Sequence, residues 1–337
     1  MTSYYIERST LRGMIDELAR EQTVVAPAKE GSSFSFKKVS SGEEACLDFT
    51  NTTFSPKSVF MPQLEELFTY DVKKGRVKKT EDTGADPVLL IGVRPCDSSA
   101  FLILDKVMGG KFADSYYDRN RGRTLVLGLS CSKPEPTCFC NVFNAGPIEG
   151  AGDDISFTSV DGGYVARPKT IRGKEFIMQH QKHFREATKR ELELFERESE
   201  RVAKSMGAQL KTEGLPETMG KAFDDPYWQE LGRRCIECGV CSFVCPTCYC
   251  FEVAEEVNGN EGRRSRGWDT CLSCRFSRMA GGLDPRPTKQ DRLKHRFYHK
   301  LQYVPVTFGA ISCVGCGRCV SRCPSNVDMR EVIAKWQ

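Results

Sequence analysis

Two copies of one cysteine pattern constrain this chain more than any other feature of its sequence. The pattern is C-x2-C-x2-C-x3-C-P, and its copies are Cys235, Cys238, Cys241, Cys245 with Pro246, and Cys313, Cys316, Cys319, Cys323 with Pro324. The first three thiols of a run lie on a tight loop and can bind three irons of one cluster, and the fourth lies on the following helical turn. The proline suits the first turn of a helix, where a missing N–H is harmless. We therefore expect two clusters in the last third of the chain.

The spacing also predicts which thiols share a cluster. In two-cluster domains with this pattern, the fourth cysteine of each run ligates the cluster of the other run. We therefore expect two [4Fe-4S] clusters with crossed ligation. The first set is Cys235, Cys238, Cys241 and Cys323, and the second is Cys313, Cys316, Cys319 and Cys245. Zinc is disfavoured because it uses ligand pairs that are separated by longer loops.

Composition and patterning indicate a cytoplasmic protein. The chain has 337 residues, 17 cysteines and a formal net charge of +4, too mild to indicate a nucleic-acid binder. The start, MTSYYIERSTLRG, lacks the apolar core of a signal peptide. The longest apolar stretch, residues 87–93, is too short to span a membrane. Cytoplasmic thiols stay reduced, so closely spaced cysteines indicate metal ligation rather than disulfides.

A second group of cysteines lies in the N-terminal half. Two apolar runs, residues 87–93 and 124–129, predict buried strands joined by a helix in a parallel βαβ unit. A cysteine follows each strand, so both emerge at the carboxyl edge of the sheet, where open α/β sheets bind ligands. A proline-containing loop leads on to two more thiols. The set Cys96, Cys131, Cys138 and Cys140 predicts a third [4Fe-4S] cluster; the alternative is structural cysteines in a substrate or flavin pocket.

A third group has the pattern C-x-C, twenty intervening residues, then C-x2-C. Its members are Cys248, Cys250, Cys271 and Cys274. Three interpretations stay open: a further [2Fe-2S] or [4Fe-4S] cluster, a zinc site like that of a zinc ribbon, and inert buried thiols. Cys46 is left over as an ordinary thiol.

Several short motifs occur together over most of the chain. They are GVRPCDSSAF (92–101), DSYYDRNRGR (114–123), CSKPEPTCFC (131–140), CIECGVCSFVCPTCYCFEV (235–253), WDTC (268–271), AGG (280–282), HRFYHK (295–300) and CVGCGRCVSRCP (313–324). In these motifs the chain resembles the β subunits of cytoplasmic [NiFe] sulfhydrogenases and the A subunits of anaerobic sulfite reductases. The resemblance implies an electron-transfer subunit that binds an FAD/NAD(P)-binding subunit of the ferredoxin reductase type. Cys274 departs from the core pattern of the family.

The expected fold class is α+β. We predict an α/β domain over 1–170 with its own cluster site, a helical linker over 171–230, and a mostly helical, ferredoxin-like dicluster domain over 231–337. Within these, residues 155–166 predict a β-hairpin, residues 176–206 a long charged helix, and residues 63–68 a short helix.

The expected function is a relay that takes electrons from a flavin in one partner and passes them to another. The second partner is a hydrogenase, a sulfite reductase or another redox subunit, and ferredoxin is a further candidate. The basic segment 261–300, which includes Arg263, Arg264 and Arg266, is expected to dock an acidic partner. The alternative is a catalytic reductase whose N-terminal cluster or flavin site, near Cys96 and Asp97, acts on a substrate. No G-x-G-x-x-G motif follows a strand, which disfavours a dinucleotide site in this chain.

Overall fold

Helices and strands alternate along the chain, of which the computed structural model describes residues 2–79, 86–207 and 209–337. The strands are β1 (Tyr4–Glu7), β2 (Thr23–Glu30), β3 (Ser33–Val39), β4 (Leu64–Asp71), β5 (Arg76–Lys79), β6 (Val88–Val93), β7 (Thr124–Leu129), β8 (Ile155–Val160), β9 (Gly163–Pro168), β10 (Arg185–Glu186), β11 (Phe251–Asn258) and β12 (Glu261–Trp268).

The α-helices are α1 (Arg8–Glu21), α2 (Pro95–Met108), α3 (Ser115–Gly122), α4 (Ile171–Gln179), α5 (Lys189–Lys204), α6 (Leu215–Lys221), α7 (Tyr227–Arg234), α8 (Val240–Phe243), α9 (Lys289–Tyr298), α10 (Val304–Phe308), α11 (Arg318–Ser321) and α12 (Met329–Trp336). Short 3-10 turns cover Pro56–Val59, Cys140–Phe143, Gln181–His183 and Ala280–Gly282, and a π-helical turn, His299–Tyr303, joins α9 to α10. In the described ranges, none of these helices has the length and apolarity needed to span a membrane.

The N-terminal half is built on an eight-stranded mixed sheet with the order β10-β1-β9-β8-β7-β6-β2-β3. Its centre is parallel, because β2, β6, β7 and β8 pair in the same direction. Every residue of β6 is buried, as expected for a strand covered on both faces. One face packs on α1 and α4, and the other on α2 and α3. The α+β class, the predicted βαβ unit and the predicted hairpin, seen as β8–β9, are confirmed.

Two predicted helices are wrong. Residues 63–68, expected as a helix, begin strand β4, because β4 pairs with β12 from almost 200 residues further along the chain. The long helix expected over 176–206 is broken into α4 and α5. Between them, β10 pairs with β1 at the edge of the large sheet. Thr188 then starts a new helix with a capping box, in which its hydroxyl accepts from the backbone N–H of Glu191.

A second sheet, with the order β11-β12-β4-β5, joins the two halves of the chain. The hairpin β11–β12 was not predicted from sequence. Its inner strand pairs along the length of β4, from Glu261 opposite Asp71 to Gly267 opposite Leu64. The three-part division at residues 170 and 230 remains a proposal, in which this sheet ties the first part to the third.

The C-terminal helices surround an aromatic core. The rings of Trp228 and Trp336 stack with centroids 4.8 Å apart, which fixes α12 against α7. Phe297 and Tyr298 of α9 pack on the same Trp228 ring. These short helices position the cysteine loops that lie between them.

A buried ion pair also connects the two halves. Arg318 and Asp97 form two parallel bonds of 2.6 and 2.7 Å, and their side chains are 2% and 0% exposed. The Nε of Arg318 donates to the carbonyl of Thr52 at 3.0 Å. Bidentate arginine–carboxylate pairs are strong and directional. Each partner directly adjoins a cysteine, Cys96 or Cys319.

Asp97→Asn should therefore destabilise the protein strongly. It leaves the Arg318 guanidinium buried without its counter-charge, which costs about 3–5 kcal/mol. Glu43→Gln is the matched control, because Glu43 pairs with Arg12 on the surface and such pairs are worth about 0–1 kcal/mol. The measurement is a urea titration followed by far-UV circular dichroism. Equal midpoints for the two variants would contradict the expectation.

Candidate functional site

Three cysteines of the first ferredoxin run and two of the second line a cavity of about 500 Å³. The cysteines in its lining include Cys235, Cys238, Cys241 and Cys323, and most other lining residues are apolar. The loop begins where α7 ends. It curls through residues with positive φ, Glu237 at 58° and Gly239 at 72°. Arg292 of α9 holds this loop by donating to the Glu237 carboxylate at 2.8 Å.

The second run forms a cavity of about 310 Å³. Its thiols are Cys313, Cys316 and Cys319, together with Cys245 from the first run. Gly315 and Gly317 have φ values of 62° and 74°. The backbone lies against Phe139 at Gly315 and against Thr137 at Gly317. A Cβ on Gly315 would lie 2.3 Å from the carbonyl oxygen of Phe139, so only glycine fits there.

The structure thus gathers each predicted set of four thiols around one cavity, and Cys319 lines both. Burial raises the pKa of the Cys313 thiol to about 12 and also raises the pKa of Cys235. Such thiols are protonated until a metal displaces the proton.

The donor chemistry of both cavities fits iron–sulfur clusters. Soft thiolates in an apolar shell are the ligands such clusters select. In the described part of the chain, no three His, Cys, Asp or Glu side chains converge closely enough to hold a single metal ion. Two buried cations, Arg296 and Lys300, line the second cavity and offer the positive charge that an anionic cluster needs.

The N-terminal cysteines lie near one another, and their ligation of one cluster stays a prediction. Cys96 lies in the first turn of α2, shortly after β6, and Cys131 follows β7, so both stand at the carboxyl edge of the parallel strands. Burial, with Cys131 close by, raises the pKa of Cys138 to about 12. Burial and the nearby thiols of Cys131 and Cys138 also raise the pKa of Cys140.

This N-terminal group touches the second cavity. Cys96 and Cys140 belong to the same buried cluster as Cys316. The Sγ of Cys138 lies 3.8 Å from the carbonyl oxygen of Cys316. The backbone N–H of Phe139 donates to the carbonyl of Gly315 at 2.8 Å. The two sets of thiols are therefore adjacent, although they come from opposite ends of the chain.

The third group is only partly assembled. A hydrogen bond from Cys271 lowers the pKa of Cys250 to about 7, and the same bond raises that of Cys271. Cys248 is hydrogen-bonded to Cys245, and that bond raises its pKa. Cys274 is exposed. Ligation by all four members therefore stays a prediction.

Sequence reasoning missed a buried lysine beside this group. Lys57 is 3% exposed, and its Nζ donates to the carbonyl of Cys248 at 2.7 Å. It also lies 4.2 Å from the centre of the Trp268 ring. Burial lowers the pKa of Lys57, although the neighbouring thiol of Cys248 opposes that effect. Nothing in the local sequence SPKSV signals this role, because the contact spans 191 residues.

Two histidines of the HRFYHK motif lie beside the sites without ligating. His299 shares a hydrogen bond of 2.9 Å with the Tyr249 hydroxyl, and the rings of His295 and His299 stack. Burial lowers the pKa of each to about 4, so both are neutral at physiological pH.

The fold and the thiol-lined cavities define a class, the iron–sulfur proteins with two [4Fe-4S] clusters. Residues 234–327 match a family described as a 4Fe-4S dicluster domain. The chain is 34% identical over 311 residues to the sulfhydrogenase 2 subunit beta of Pyrococcus furiosus, covering 92% of this chain and 91% of that relative. The chain therefore belongs to the sulfhydrogenase β-subunit family.

Over a shorter stretch, the chain is also similar to a subunit of another redox enzyme. The chain is 23% identical over 110 residues to the F420-dependent formate dehydrogenase subunit beta of Methanocaldococcus jannaschii, covering 33% of this chain and 22% of that relative. No solved structure matches the chain.

Crossed ligation can be tested at Cys245. Cys245→Ser should remove or convert the cluster held by Cys313, Cys316 and Cys319, because its thiol lines that cavity, and should spare the cluster beside it in sequence. Cys46→Ser is the control. Iron and sulfide assays count the clusters, and electron paramagnetic resonance distinguishes them. Loss of the cluster held by Cys235 and Cys238 instead would show that ligation is not crossed.

Proposed function

We propose that this chain is the iron–sulfur electron-transfer subunit of a multi-subunit cytoplasmic redox complex. It relays electrons between an FAD/NAD(P)-binding subunit of the ferredoxin reductase type and a second partner. That partner is a hydrogenase, a sulfite reductase or another cluster-bearing subunit. The observation that carries the proposal is the continuity of the thiol-lined sites: Cys319 lines both cavities, and Cys316 joins the second cavity to the N-terminal group.

We propose that electrons pass along three neighbouring sites: the first cavity, the second cavity and the N-terminal cysteines. Clusters bound in the two cavities would each accept and release one electron at a time. Crossed ligation by Cys245 and Cys323 fixes the two cavities against each other. We further propose a third [4Fe-4S] cluster at Cys96, Cys131, Cys138 and Cys140, and a [2Fe-2S] or [4Fe-4S] cluster at Cys248, Cys250, Cys271 and Cys274.

The two ends of this series of sites lie near the protein surface. At one end, Cys238 of the first cavity is exposed. At the other end, a groove of about 1530 Å³ opens beside Cys131, between α5 and the ends of β7 and β8. A relay needs an accessible site at each end, because electron transfer between proteins requires close approach. We propose these as the two partner-facing ends.

In the catalytic alternative, Asp97 would be the acid–base group, but it is not free to act as one. It would place chemistry near Cys96 and Asp97, but both carboxylate oxygens of Asp97 are bound by the buried guanidinium of Arg318. A general acid or base must reach a substrate proton. The relay is therefore the function that the geometry favours.

Three arginines of the basic segment 261–300 are paired with carboxylates. Arg263 pairs with Glu66 and Arg264 with Glu255, each at 2.9 Å. Arg266 is buried and binds the carboxylates of Glu65 and Asp114. Arg263 and Arg264 are exposed but each is paired with a carboxylate, and Arg266 is buried, so the three offer little unpaired positive charge.

Exposed charge remains in the loop that follows Leu272, a residue of the first cavity lining. Arg275 and Arg278 are exposed there, with Met279 at 56% and Leu283 at 63% exposure. Charged groups around a small apolar centre suit a transient redox partner, because charge complementarity speeds encounter. We propose that an acidic partner docks at this loop.

The double variant R275E/R278E should slow electron exchange with an acidic ferredoxin by about tenfold at low salt, since steering contributes at least that much to association. The double variant K106E/K111E, which reverses two exposed lysines around the end of α2, is the matched control. Stopped-flow absorbance follows cluster reduction by the ferredoxin and by methyl viologen. An unchanged ferredoxin rate in R275E/R278E would rule out docking at this loop.

The relay is tested on the isolated chain and on the native complex. The cluster-replete chain alone should not reduce a dye with NADH or NADPH, and the complex purified anaerobically should contain a flavoprotein subunit. About eight irons per chain are expected for two cubes, and more if the other cysteine groups are filled. Robust pyridine-nucleotide activity of the single chain would overturn the relay and favour the catalytic alternative.

A further inference from the structure

Arg296 of α9 occupies an unusual position between the two cavities. Its side chain lines both of them, and the residue is only 3% exposed. Its Nη2 donates to the carbonyl of Cys241 at 2.8 Å. Its Nε is buried and has no hydrogen-bond partner among the described residues.

No carboxylate balances this charge in the described part of the chain, where the ion pairs include none with Arg296. Two other buried arginines beside the cysteine loops differ in this respect. Arg292, one turn earlier on α9, pairs with Glu237, and Arg318 pairs with Asp97. A buried cation without a counter-charge costs several kcal/mol. The compensating negative charge must therefore come from what the cavities bind.

Thiols of both runs surround Arg296. Arginine stays protonated in proteins, so the Arg296 guanidinium is a fixed positive charge. It lines the first cavity together with Cys241 and the second cavity together with Cys319. Cys241 belongs to the first set and Cys319 to the second, so the guanidinium faces thiols of both sets.

We infer that Arg296 is the shared counter-ion of the two clusters and raises both of their reduction potentials. The inference rests on the proposed relay and adds a residue that sets its driving force. Reduction adds one electron to a cluster that is already anionic. A fixed positive charge beside it stabilises the reduced form more than the oxidised form. Because Arg296 lines both cavities, its removal affects both clusters.

Lys300 provides a matched comparison. It is also buried, and it lines the second cavity but not the first. Its Nζ donates to the Thr247 hydroxyl at 2.8 Å and to the Ser312 carbonyl at 3.0 Å. A charge that faces one cavity should act mainly on one cluster. The pair of residues therefore separates a shared effect from a local one.

The experiment compares Arg296→Met, Arg296→Lys and Lys300→Met in the full chain, reconstituted anaerobically. Redox titration is followed by electron paramagnetic resonance, with signals assigned from Cys245→Ser. Arg296→Met should shift both reduction equilibria at least tenfold towards the oxidised form, about 59 mV for one electron. Arg296→Lys should reverse most of that shift, and Lys300→Met should lower mainly the potential of the cluster at Cys313.

Iron content is measured alongside, so that a potential shift is not mistaken for cluster loss. Unchanged potentials in Arg296→Met with full iron would overturn the inference, as would a shift confined to one cluster. If Arg296→Met fails to hold iron, Arg296→Lys is compared with Arg296→Gln. A higher potential in the lysine variant supports the inference, and equal potentials overturn it. Fewer than about eight irons in the unmodified chain would instead refute the dicluster assignment itself.

Discussion

This structure depends on one constraint: it must stabilise negative charge inside a low-dielectric interior. A cluster with four thiolate ligands is anionic, and burying it requires nearby cations and hydrogen-bond donors. The fold supplies them from both halves of the chain: Lys57 from the N-terminal half, and Arg296 and Lys300 from α9 and the turn after it. Apolar side chains such as Phe297 and Leu293 exclude water around the same sites. The buried cations and the apolar lining of the cavities both meet this requirement.

The cysteine spacing was enough to predict the dicluster site, because ligand geometry is encoded locally. Three thiols within seven residues leave few alternatives, and the doubled pattern predicts which sets meet at one cavity. The central strands β6 and β7 were also predictable, since continuous apolar runs mark strands buried on both faces. Arg296 and Lys300 lie in a motif that the sequence pointed out, although its role required the structure.

Features that depend on distant pairing were not predictable. The local sequence of residues 63–68 predicts a short helix, and the pairing of β4 with β12 makes this segment a strand. The same pairing gives Arg263 and Arg266 their carboxylate partners, so part of the positive charge that the sequence shows is paired in the fold. The break between α4 and α5 depends on β10 reaching β1 across the sheet. Local propensity contains no information about such partners.

The contact between Phe139 and Gly315 joins main chain to main chain, so no side chain sets its length. The spacing between the N-terminal thiols and the second cavity is therefore set by two backbones. A Cβ on Gly315 would lie 2.3 Å from the carbonyl oxygen of Phe139, and one on Gly317 would lie 2.6 Å from that of Thr137. Any larger residue at either position would have to push the two halves of the chain apart at this junction.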